Sequence, residues 1–268
     1  MKVVVIGSGS KGNSTYVETP QSKILIDAGI SNLQIKLRLS NQHINYDFID
    51  AIFISHEHSD HISNLVSILK KTRATLYIEE NTFYEANRKL KGELNSFPKV
   101  FIKANTKYVI NDLVVVPIEL SHDTKYCMGF LTKELNTKEN CTFASITDTG
   151  YVPSKYYKIL STIRVLLIES NHDVEMLTTS GRPWQLIDRI LSDHGHMSNK
   201  QCCDCLHQIV SKYTEKVILG HISEECNDYD LVRSFCEKEF DNKLPFKLEI
   251  AYQYHETDIV MMEEEACA

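Results

Sequence analysis

The segment Ala51-Ile52-Phe53-Ile54-Ser55-His56-Glu57-His58-Ser59-Asp60-His61 joins an apolar run directly to a dense group of histidine and aspartate residues. Four possible metal ligands, His56, His58, Asp60 and His61, fall within six consecutive positions. Imidazole nitrogens and carboxylate oxygens are ligands of divalent metals such as zinc and manganese. A polar loop with unrelated titratable residues is the alternative, and so many possible ligands in so short a stretch argue against it. The segment therefore predicts a metal site directly after a buried strand.

The spacing of these four residues indicates how they can share metal ions. Alternate side chains of an extended chain point in the same direction, so His56 and His58 can bind one ion. If the chain turns into a helix after them, Asp60 and His61 can face a second ion nearby. This one segment therefore provides ligands for two ions.

Three further possible ligands stand at the ends of other apolar runs. They are His122 after residues 113–118, Asp148 after residues 141–146, and His221 after residues 216–220. Ligands at the ends of several strands can converge on one edge of a sheet. Each of the three, taken alone, could be a loop residue or a structural histidine. Taken together with the first segment, they predict the remaining ligands of the metal site.

Strand-like apolar runs alternate with helical segments along the chain. We predict strands at residues 3–6, 23–27, 51–54, 75–78, 113–118, 141–146, 165–168 and 217–219. We predict helices at residues 60–71, 80–91, 154–160, 183–193 and 198–213. Pro183 can occupy a first helical position, and Ser198 with Gln201 forms a capping-box pattern. Strands and helices mixed in this way predict a layered α/β or α+β architecture.

The run Gly7-Ser8-Gly9-Ser10-Lys11-Gly12 matches the G-x-G-x-x-G pattern of dinucleotide-binding proteins. That function requires a helix that opens at the last glycines, with its N-terminus facing the pyrophosphate. Here Asn13-Ser14-Thr15-Tyr16-Val17-Glu18 follows, then Pro20 and a further strand, and this composition does not favour a helix. We therefore interpret the run as a glycine turn between antiparallel strands.

Length and composition restrict the class of protein. The 268 residues, 43% of them hydrophobic, show no linker, repeat or low-complexity block, so we expect a single domain over residues 1–268. The 36 acidic residues outnumber the 29 basic ones, which argues mildly against a nucleic-acid-binding surface as a whole. No signal peptide and no apolar run of the ~20 residues that span a membrane is recognisable. We expect a cytoplasmic protein that does not bind membranes.

Eight cysteines are scattered through the chain. Cys202, Cys203 and Cys205 lie close together, but no second Cys/His pair stands at the spacing of a zinc finger. The three fall on a predicted helix, and we interpret them as partly buried free thiols.

The pattern His56-x-His58-x-Asp60-His61, followed by His122, Asp148 and His221, resembles the metallo-β-lactamase superfamily and its dinuclear hydrolases in particular. Five blocks resemble its YycJ/WalJ group more closely. They are Gly7-Ser8-Gly9-Ser10-Lys11-Gly12-Asn13-Ser14, Ser55-His56-Glu57-His58-Ser59-Asp60-His61, Glu169-Ser170-Asn171-His172-Asp173, Gly195-His196-Met197-Ser198-Asn199 and Gly220-His221-Ile222-Ser223. The blocks span residues 7–223, which is nearly the whole chain.

This resemblance implies an α/β fold of the metallo-β-lactamase type, an αββα four-layer sandwich with two divalent ions, zinc or manganese, at one edge. It implies the following ligands: His56, His58 and His122 for the first ion, Asp60, His61 and His221 for the second, and Asp148 between them. Relatives in the group are described as 5′→3′ DNA exonucleases, and as regulators encoded beside a cell-wall-sensing two-component system.

We therefore expect a dinuclear metal-dependent hydrolase that acts as a phosphodiesterase on nucleic acid, with DNA as the substrate and 5′→3′ exonuclease activity. Two alternatives stay open. One is a small-molecule hydrolase such as a glyoxalase II-like thioesterase, because a fold does not fix a substrate. The other is a metal-binding regulatory protein linked to cell-wall two-component signalling.

Two further histidines belong to the blocks that carry the resemblance. His196 could contact a phosphate oxygen or protonate the leaving oxygen, and with Asp60 it is a predicted catalytic residue. His172 could contact substrate or support a ligand from behind. The alternative for His196 is a surface loop histidine, and the alternative for His172 is a structural role.

Overall fold

Two seven-stranded β-sheets form the centre of the computed structural model, which describes residues 1–135 and 143–262. The first sheet begins with six consecutive strands. They are β1 (Lys2–Gly7), β2 (Ser14–Glu18), β3 (Lys23–Ile26), β4 (Ala51–Phe53), β5 (Thr75–Ile78) and β6 (Lys99–Phe101). β1, β2 and β3 pair antiparallel, and β3 to β6 pair in parallel.

The second sheet is formed by the next seven strands in sequence order. They are β7 (Tyr108–Ile110), β8 (Leu113–Leu120), β9 (Cys127–Glu134), β10 (Phe143–Ile146), β11 (Val165–Glu169), β12 (Lys216–Gly220) and β13 (Lys247–Ile250). β7 to β10 pair antiparallel, and β10 to β13 pair in parallel. A last strand, β14 (Val260–Met261), returns to the first sheet beside β1.

Helices connect the parallel strands, as parallel pairing requires a crossover between one strand and the next. The described residues form α1 (Asn32–Asn41), α2 (Ser59–Ile62), α3 (Leu65–Thr72), α4 (Glu80–Lys89), α5 (Tyr157–Leu160), α6 (Val174–Thr179), α7 (Trp184–Leu191), α8 (Asn199–Ile209) and α9 (Tyr229–Glu239). Short 3₁₀ turns occupy Glu93–Ser96 and Ser154–Tyr156.

Three apolar clusters fill the spaces between four layers. Between the sheets, Phe53 of the first sheet packs edge-on against Phe130 of the second, with ring centroids 5.6 Å apart. A second cluster joins α1, α3 and α4 to the outer face of the first sheet. A third cluster joins α5, α8 and α9 to the outer face of the second sheet. The order helix–sheet–sheet–helix confirms the predicted αββα sandwich; one domain over residues 1–268 remains a prediction.

Most predicted elements are present, with differences at their ends. The segment expected as one helix at residues 60–71 is divided into α2 and α3, because the Asn64 amide donates to the Ala28 carbonyl and not within a continuous helix. Pro183 stands at the N-cap of α7 and not at its first helical position. The capping box of Ser198 and Gln201 is confirmed at α8, which ends at Ile209. Residues 141 and 142 of the strand predicted at 141–146 lie outside the described residues.

The glycine run Gly7–Gly12 connects the antiparallel strands β1 and β2, so the predicted glycine turn is confirmed. Gly9 and Gly12 have φ angles of +151° and +152°, and a Cβ atom at Gly12 would lie 2.7 Å from the Gly29 carbonyl oxygen. The second strand is Ser14–Glu18 and therefore begins before Pro20, earlier than expected. β-Branched Thr15 and Val17 favour this strand over a helix.

The thiols of Cys202, Cys203 and Cys205 are free and buried, somewhat deeper than the partly buried thiols that we predict. They lie in the cluster that packs α8 against the second sheet. Within residues 1–135 and 143–262, no helix is both long enough and apolar enough to cross a membrane.

Candidate metal centre

The ends of the central strands place the predicted ligands at one edge of the sandwich. β4 ends at Phe53, and the extended chain after it carries His56 and His58 before α2 begins at Ser59. From the second sheet, His122 follows β8, Asp148 follows β10 and His221 follows β12. The two sheets therefore both contribute to the same site.

The first group of possible ligands contains His56, His58 and His122. One ring nitrogen from each lies within 4.8 Å of the others. The ring centroid of His122 is 5.1 Å from those of His56 and His58. His56 and His122 are buried, whereas 34% of the His58 side chain is exposed. Three nitrogen donors converge here, as one divalent ion requires.

The second group contains Asp60, His61, Asp148 and His221, again with one ligand atom each within 4.8 Å. The Nε2 atom of His61 lies 3.2 Å from Asp60 Oδ2 and 3.2 Å from Asp148 Oδ2. The Nε2 atom of His221 lies 3.3 Å from Asp148 Oδ1 and 3.6 Å from Asp60 Oδ2. Two histidines and two carboxylates thus face a common centre.

Asp148 lies between the two groups. Its Oδ1 atom is 3.3 Å from the Nε2 atom of His221 and 3.9 Å from the Nε2 atom of His122. His221 belongs to the second group and His122 to the first, so the Asp148 carboxylate reaches both groups.

The donor atoms fit divalent cations. Four buried atoms of the two groups have no hydrogen-bond partner among the residues that the structure describes: Nε2 of His56, His122 and His221, and Oδ2 of Asp148. Burying polar atoms without partners is costly, and a cation placed among them would remove that cost. Nitrogen and oxygen donors in this combination suit zinc and manganese.

Hydrogen bonds on the far side of three rings fix which nitrogen faces the centre. A carboxylate or carbonyl oxygen only accepts, so the Nδ1 atom that contacts it must donate. His61 Nδ1 donates to Asp27 over 2.8 Å, His221 Nδ1 to Glu169 over 2.9 Å, and His122 Nδ1 to the Gly195 carbonyl over 3.1 Å. Each ring thus directs its Nε2 atom towards the possible metal site.

Asp27 is a site residue that our sequence analysis missed. It follows β3, which is the parallel neighbour of β4, and its left-handed φ of +62° turns the side chain towards the ligand loop. Its Oδ1 atom accepts from the backbone and hydroxyl of Ser55 at 2.8 and 2.9 Å. The sequence signal was its position at the end of a predicted strand, which the recognised ligands share.

Glu169 is a second missed residue, at the end of β11. It is fully buried, and its Oε1 atom lies 2.7 Å from His196 Nδ1 and 2.9 Å from His221 Nδ1. Burial opposes the charge of this carboxylate, but His196 and His221 outweigh burial and lower its pKa to about 2. Glu169 is therefore ionised at neutral pH. Together with Asp148, His196 and His221 it forms a third group that could hold a cation.

Asp123, also absent from our prediction, follows His122 directly. Its Oδ1 atom lies 3.2 Å from His122 Nε2 and 3.5 Å from His58 Nε2, and its Oδ2 atom is 3.0 Å from Arg189. A third carboxylate thus stands beside the first group, paired with a guanidinium of α7.

The structure brings His196 to the metal centre, with its ring centroid 4.9 Å from that of His122 and 5.2 Å from that of His221. His196 keeps 21% of its side chain exposed. His172 lies outside the three ligand groups found among the described residues, and it is completely buried. Its carbonyl accepts from the Asn199 amide at the start of α8. A substrate-binding role for His172 stays a prediction.

Burial and neighbouring charges shift the pKa values of the possible ligands in different directions. Burial acts to raise the pKa of Asp60 and Asp148, but neighbouring histidines, chiefly His61 and His221, hold both pKa values well below their usual range. Burial lowers the pKa of His56 well below that of a free histidine. Burial also acts to lower the pKa of His61 and His221, but Asp148 and the neighbouring carboxylates raise both well above that of a free histidine. Metals bind ionised carboxylates and neutral imidazoles, so a bound ion would displace a proton from each of these two rings.

The backbone at Asp60, in α2, lies very close to the backbone at Gly29. A Cβ atom at Gly29 would lie 1.7 Å from the Asp60 carbonyl oxygen, so only glycine fits this position. The Asn13 amide donates to the same carbonyl over 2.8 Å, and the Asn13 side chain contacts Asp60 Oδ2 at 3.1 Å. Gly29 and Asn13 therefore support the segment that carries Asp60.

Residues 22–222 match the family model of the β-lactamase superfamily domain, a range that contains both ligand groups. The fold is also that of the metallo-β-lactamase fold protein YhfI from Bacillus subtilis, with a TM-score of 0.69 at 15% identity over 96% of this chain and 98% of that one. The chain therefore belongs to the metallo-β-lactamase superfamily, and its ligand groups indicate that it uses divalent metal.

Two relatives place it more narrowly, in the WalJ/YycJ group. The protein named exodeoxyribonuclease WalJ of Streptococcus pneumoniae is 35% identical over 231 residues, which is 86% of this chain and 84% of that protein. The protein named exodeoxyribonuclease YycJ of Bacillus anthracis is 32% identical over 254 residues, 95% of this chain and 94% of that protein. The resemblance predicted from the sequence blocks is thus confirmed.

Proposed function

We propose that this protein is a metal-dependent phosphodiesterase that digests DNA as a 5′→3′ exonuclease. The observation that carries the proposal is the pair of ligand groups joined by the Asp148 carboxylate at the edge of the sandwich. The names of the WalJ and YycJ relatives support DNA as the substrate. The proposed function is the one that we expect from the sequence, and the residue assignments are the same.

We assign two ions, zinc or manganese, to the two groups. His56, His58 and His122 would hold the first ion, and Asp60, His61 and His221 the second, with Asp148 shared between them. The buried Nε2 atoms that lack hydrogen-bond partners within the described residues support this assignment. Such ions, when bound, activate water at neutral pH and stabilise negative charge on phosphoryl oxygens.

His196 is the residue that we assign to proton transfer. Its Nδ1 atom donates to Glu169 over 2.7 Å, so the ring has a fixed orientation and its Nε2 atom remains available to the substrate. His196 is partly exposed and adjoins both ligand groups, so it can protonate the oxygen that leaves phosphorus or contact a phosphate oxygen.

Asp60 carries the second catalytic assignment. It is held from three sides, by Asn13, His61 and His221, and 18% of its side chain is exposed. His61 and His221 keep it ionised against the effect of burial. Asp60 would therefore supply one negative charge to the second ion, next to the position at which that ion would activate water.

The proposed location is the cytoplasm. The free and buried thiols, such as Cys202 and Cys203, agree with a compartment that keeps cysteine reduced.

The experiment that tests the function is digestion of end-labelled single- and double-stranded DNA and RNA by purified protein supplied with Mn²⁺ or Zn²⁺. Asp60→Ala serves as the inactive variant, and the position of the label reports polarity. Metal-dependent release of nucleotides from the 5′ end of DNA, absent from Asp60→Ala, is the expected result. No cleavage of any strand by metal-loaded protein would refute the nuclease and direct attention to thioester substrates.

A further inference from the structure

A cavity of about 530 Å³ opens beside His122. Most of its lining comes from two loops: the loop between β8 and β9, which begins just before His122, and the loop after β10, which begins with Thr147. Cys127 also lines the cavity, with its Sγ atom 3.9 Å from His56 Nδ1. The cavity therefore adjoins the metal centre through His122 and Cys127, and its volume falls within the range of small-molecule sites, ~300–1,000 Å³.

Two exposed aromatic side chains, Tyr126 and Tyr151, line this cavity. Their exposed fractions are 38% and 46%, although a tyrosine ring usually gains by burial. Tyr126 belongs to the loop that carries His122, and Tyr151 belongs to the loop that carries Asp148. Exposed aromatic rings at a groove are the feature that proteins use to stack the bases of single-stranded nucleic acid.

The polar lining of the cavity favours an anionic ligand. Lys125 and Lys155 contribute two positive charges, and Glu119, 3.5 Å from Lys155, contributes one negative charge. The chain as a whole carries a net charge of −7, so this wall differs in sign from the average surface. His194, whose Nδ1 atom lies 3.0 Å from Ser121 Oγ, adds a ring nitrogen to the same wall.

One further atom in the lining lacks a partner. The hydroxyl of Thr124 is buried and makes no hydrogen bond within the described residues. A ligand with polar groups at this wall would satisfy it.

We propose that this cavity, the Tyr126–Tyr151 cavity, binds a nucleoside unit of the DNA strand next to the phosphodiester at the metal centre. The base stacks on the tyrosine rings, and the neighbouring backbone phosphates lie against Lys125 and Lys155. This inference rests on the proposed function, since it takes the polymer to be nucleic acid. It adds that the strand is bound as a single strand, because a base must leave its partner to stack on a side chain.

The test measures binding of a fluorescent single-stranded phosphorothioate oligothymidylate, chosen to resist cleavage, to the metal-loaded protein. Tyr126→Ala and Tyr151→Ala are each expected to raise Kd about 5- to 150-fold, the effect of losing one base–aromatic contact. Tyr213→Ala is the matched control, because Tyr213 is 52% exposed and precedes β12, at the opposite edge from His221. Its Kd is expected to equal that of the wild type.

An abasic oligonucleotide of the same length separates stacking from a general disturbance of the fold. The wild type should lose affinity for it by the same factor, whereas the tyrosine variants should bind both oligonucleotides equally. Lys125→Gln and Lys155→Gln should each reduce the slope of log Kd against log salt by about 0.7, the contribution of one phosphate contact in single strands. Lys212→Gln, beside Tyr213, is the control.

Two results would overturn the inference, and they are distinguishable. If wild-type protein binds the oligonucleotide and the tyrosine variants bind it equally well, the cavity is not the nucleoside site, while the phosphodiesterase proposal stands. If the wild type neither binds the oligonucleotide nor digests DNA, the proposed function fails and the inference fails with it.

Discussion

The Oδ2 atom of Asp27 lies 2.8 Å from the Nδ1 atom of His61, and this contact determines which nitrogen of His61 faces Asp60 and Asp148. The same carboxylate accepts from Ser55, so it positions the start of the ligand loop as well as one ligand. Supporting carboxylates of this kind orient a metal-bound histidine and raise its basicity. Asp27 therefore contributes to metal affinity although it does not face the ions.

Asp27→Asn is expected to weaken metal binding about 10- to 100-fold, the usual effect of losing such a support. Asparagine tolerates the left-handed backbone at this position, so the substitution changes charge and hydrogen bonding without added strain. Competition with a chromogenic chelator measures the affinity. Asp204→Asn, an exposed aspartate paired with Lys200 on α8, is the control. Equal affinities in the wild type and Asp27→Asn would contradict the prediction.

Asp148→Asn is expected to reduce the number of ions that remain bound after gel filtration from two per chain to one or none. The reason is that this carboxylate approaches both His122 in the first group and His221 in the second. Mass spectrometry of the metal content gives the stoichiometry, and circular dichroism establishes that the variant is folded. A folded variant that retains both ions would show that Asp148 does not link them.

His196→Ala is expected to reduce kcat on DNA by about 10²- to 10⁴-fold if the histidine donates a proton to the leaving oxygen. Cleavage of a p-nitrophenyl phosphodiester releases p-nitrophenolate, which leaves without a proton, so the rate on this substrate should fall much less. The ratio of the two losses is the measurement. Equal losses on both substrates, with metal content unchanged, would assign His196 to phosphate binding instead.

His172 predicts a dependence of stability on pH. Burial lowers its folded-state pKa to about 4, while the unfolded chain titrates near 6.5. Between these pH values His172 binds a proton in the unfolded state but not in the folded state. The free energy of unfolding therefore falls as pH decreases through that range. From pH 7 to pH 5 the loss attributable to His172 is about 2 kcal/mol.

Urea denaturation of the wild type and His172→Leu at both pH values measures this term. The side chain is fully buried and its ring nitrogens have no hydrogen-bond partner among the described residues. Leucine, an apolar residue of similar size, can therefore replace it without loss of a hydrogen bond. The free-energy difference between the two proteins should move in favour of the variant by about 2 kcal/mol at pH 5. A difference independent of pH would mean that His172 is protonated or solvated when folded.

The sequence predicted the ligand groups and the layers because both leave a local pattern. The first four ligands in the sequence lie within six positions, at His56, His58, Asp60 and His61. The others stand where apolar runs end, at His122, Asp148 and His221. The four-layer arrangement followed from the resemblance and from alternating strands and helices. The structure adds that the ligands meet within 4.8 Å in two groups.

Asp27 and Glu169 were not predicted, because a single acidic residue at a strand end has no pattern of its own. Their partners follow other strands: Asp27 contacts Ser55, two residues after β4, and Glu169 contacts His221, the residue after β12. The break between α2 and α3 was missed for a related reason. It depends on the Ala28 carbonyl, which accepts from Asn64 across the fold and carries no local signal.

Each ligand group draws on both sheets. His56, His58, Asp60 and His61 extend from the first sheet, whereas His122, Asp148 and His221 extend from the second. Ions bound by both groups would cross-link two halves of the chain that meet through an apolar cluster and through polar contacts such as that of Ser22 with Asp112. Metal would then link the two sheets in addition to its role in catalysis. Separation of the sheets would require the metal–ligand bonds to break first. The resistance of the protein to mechanical force and to proteolysis would therefore rise and fall with the metal supply.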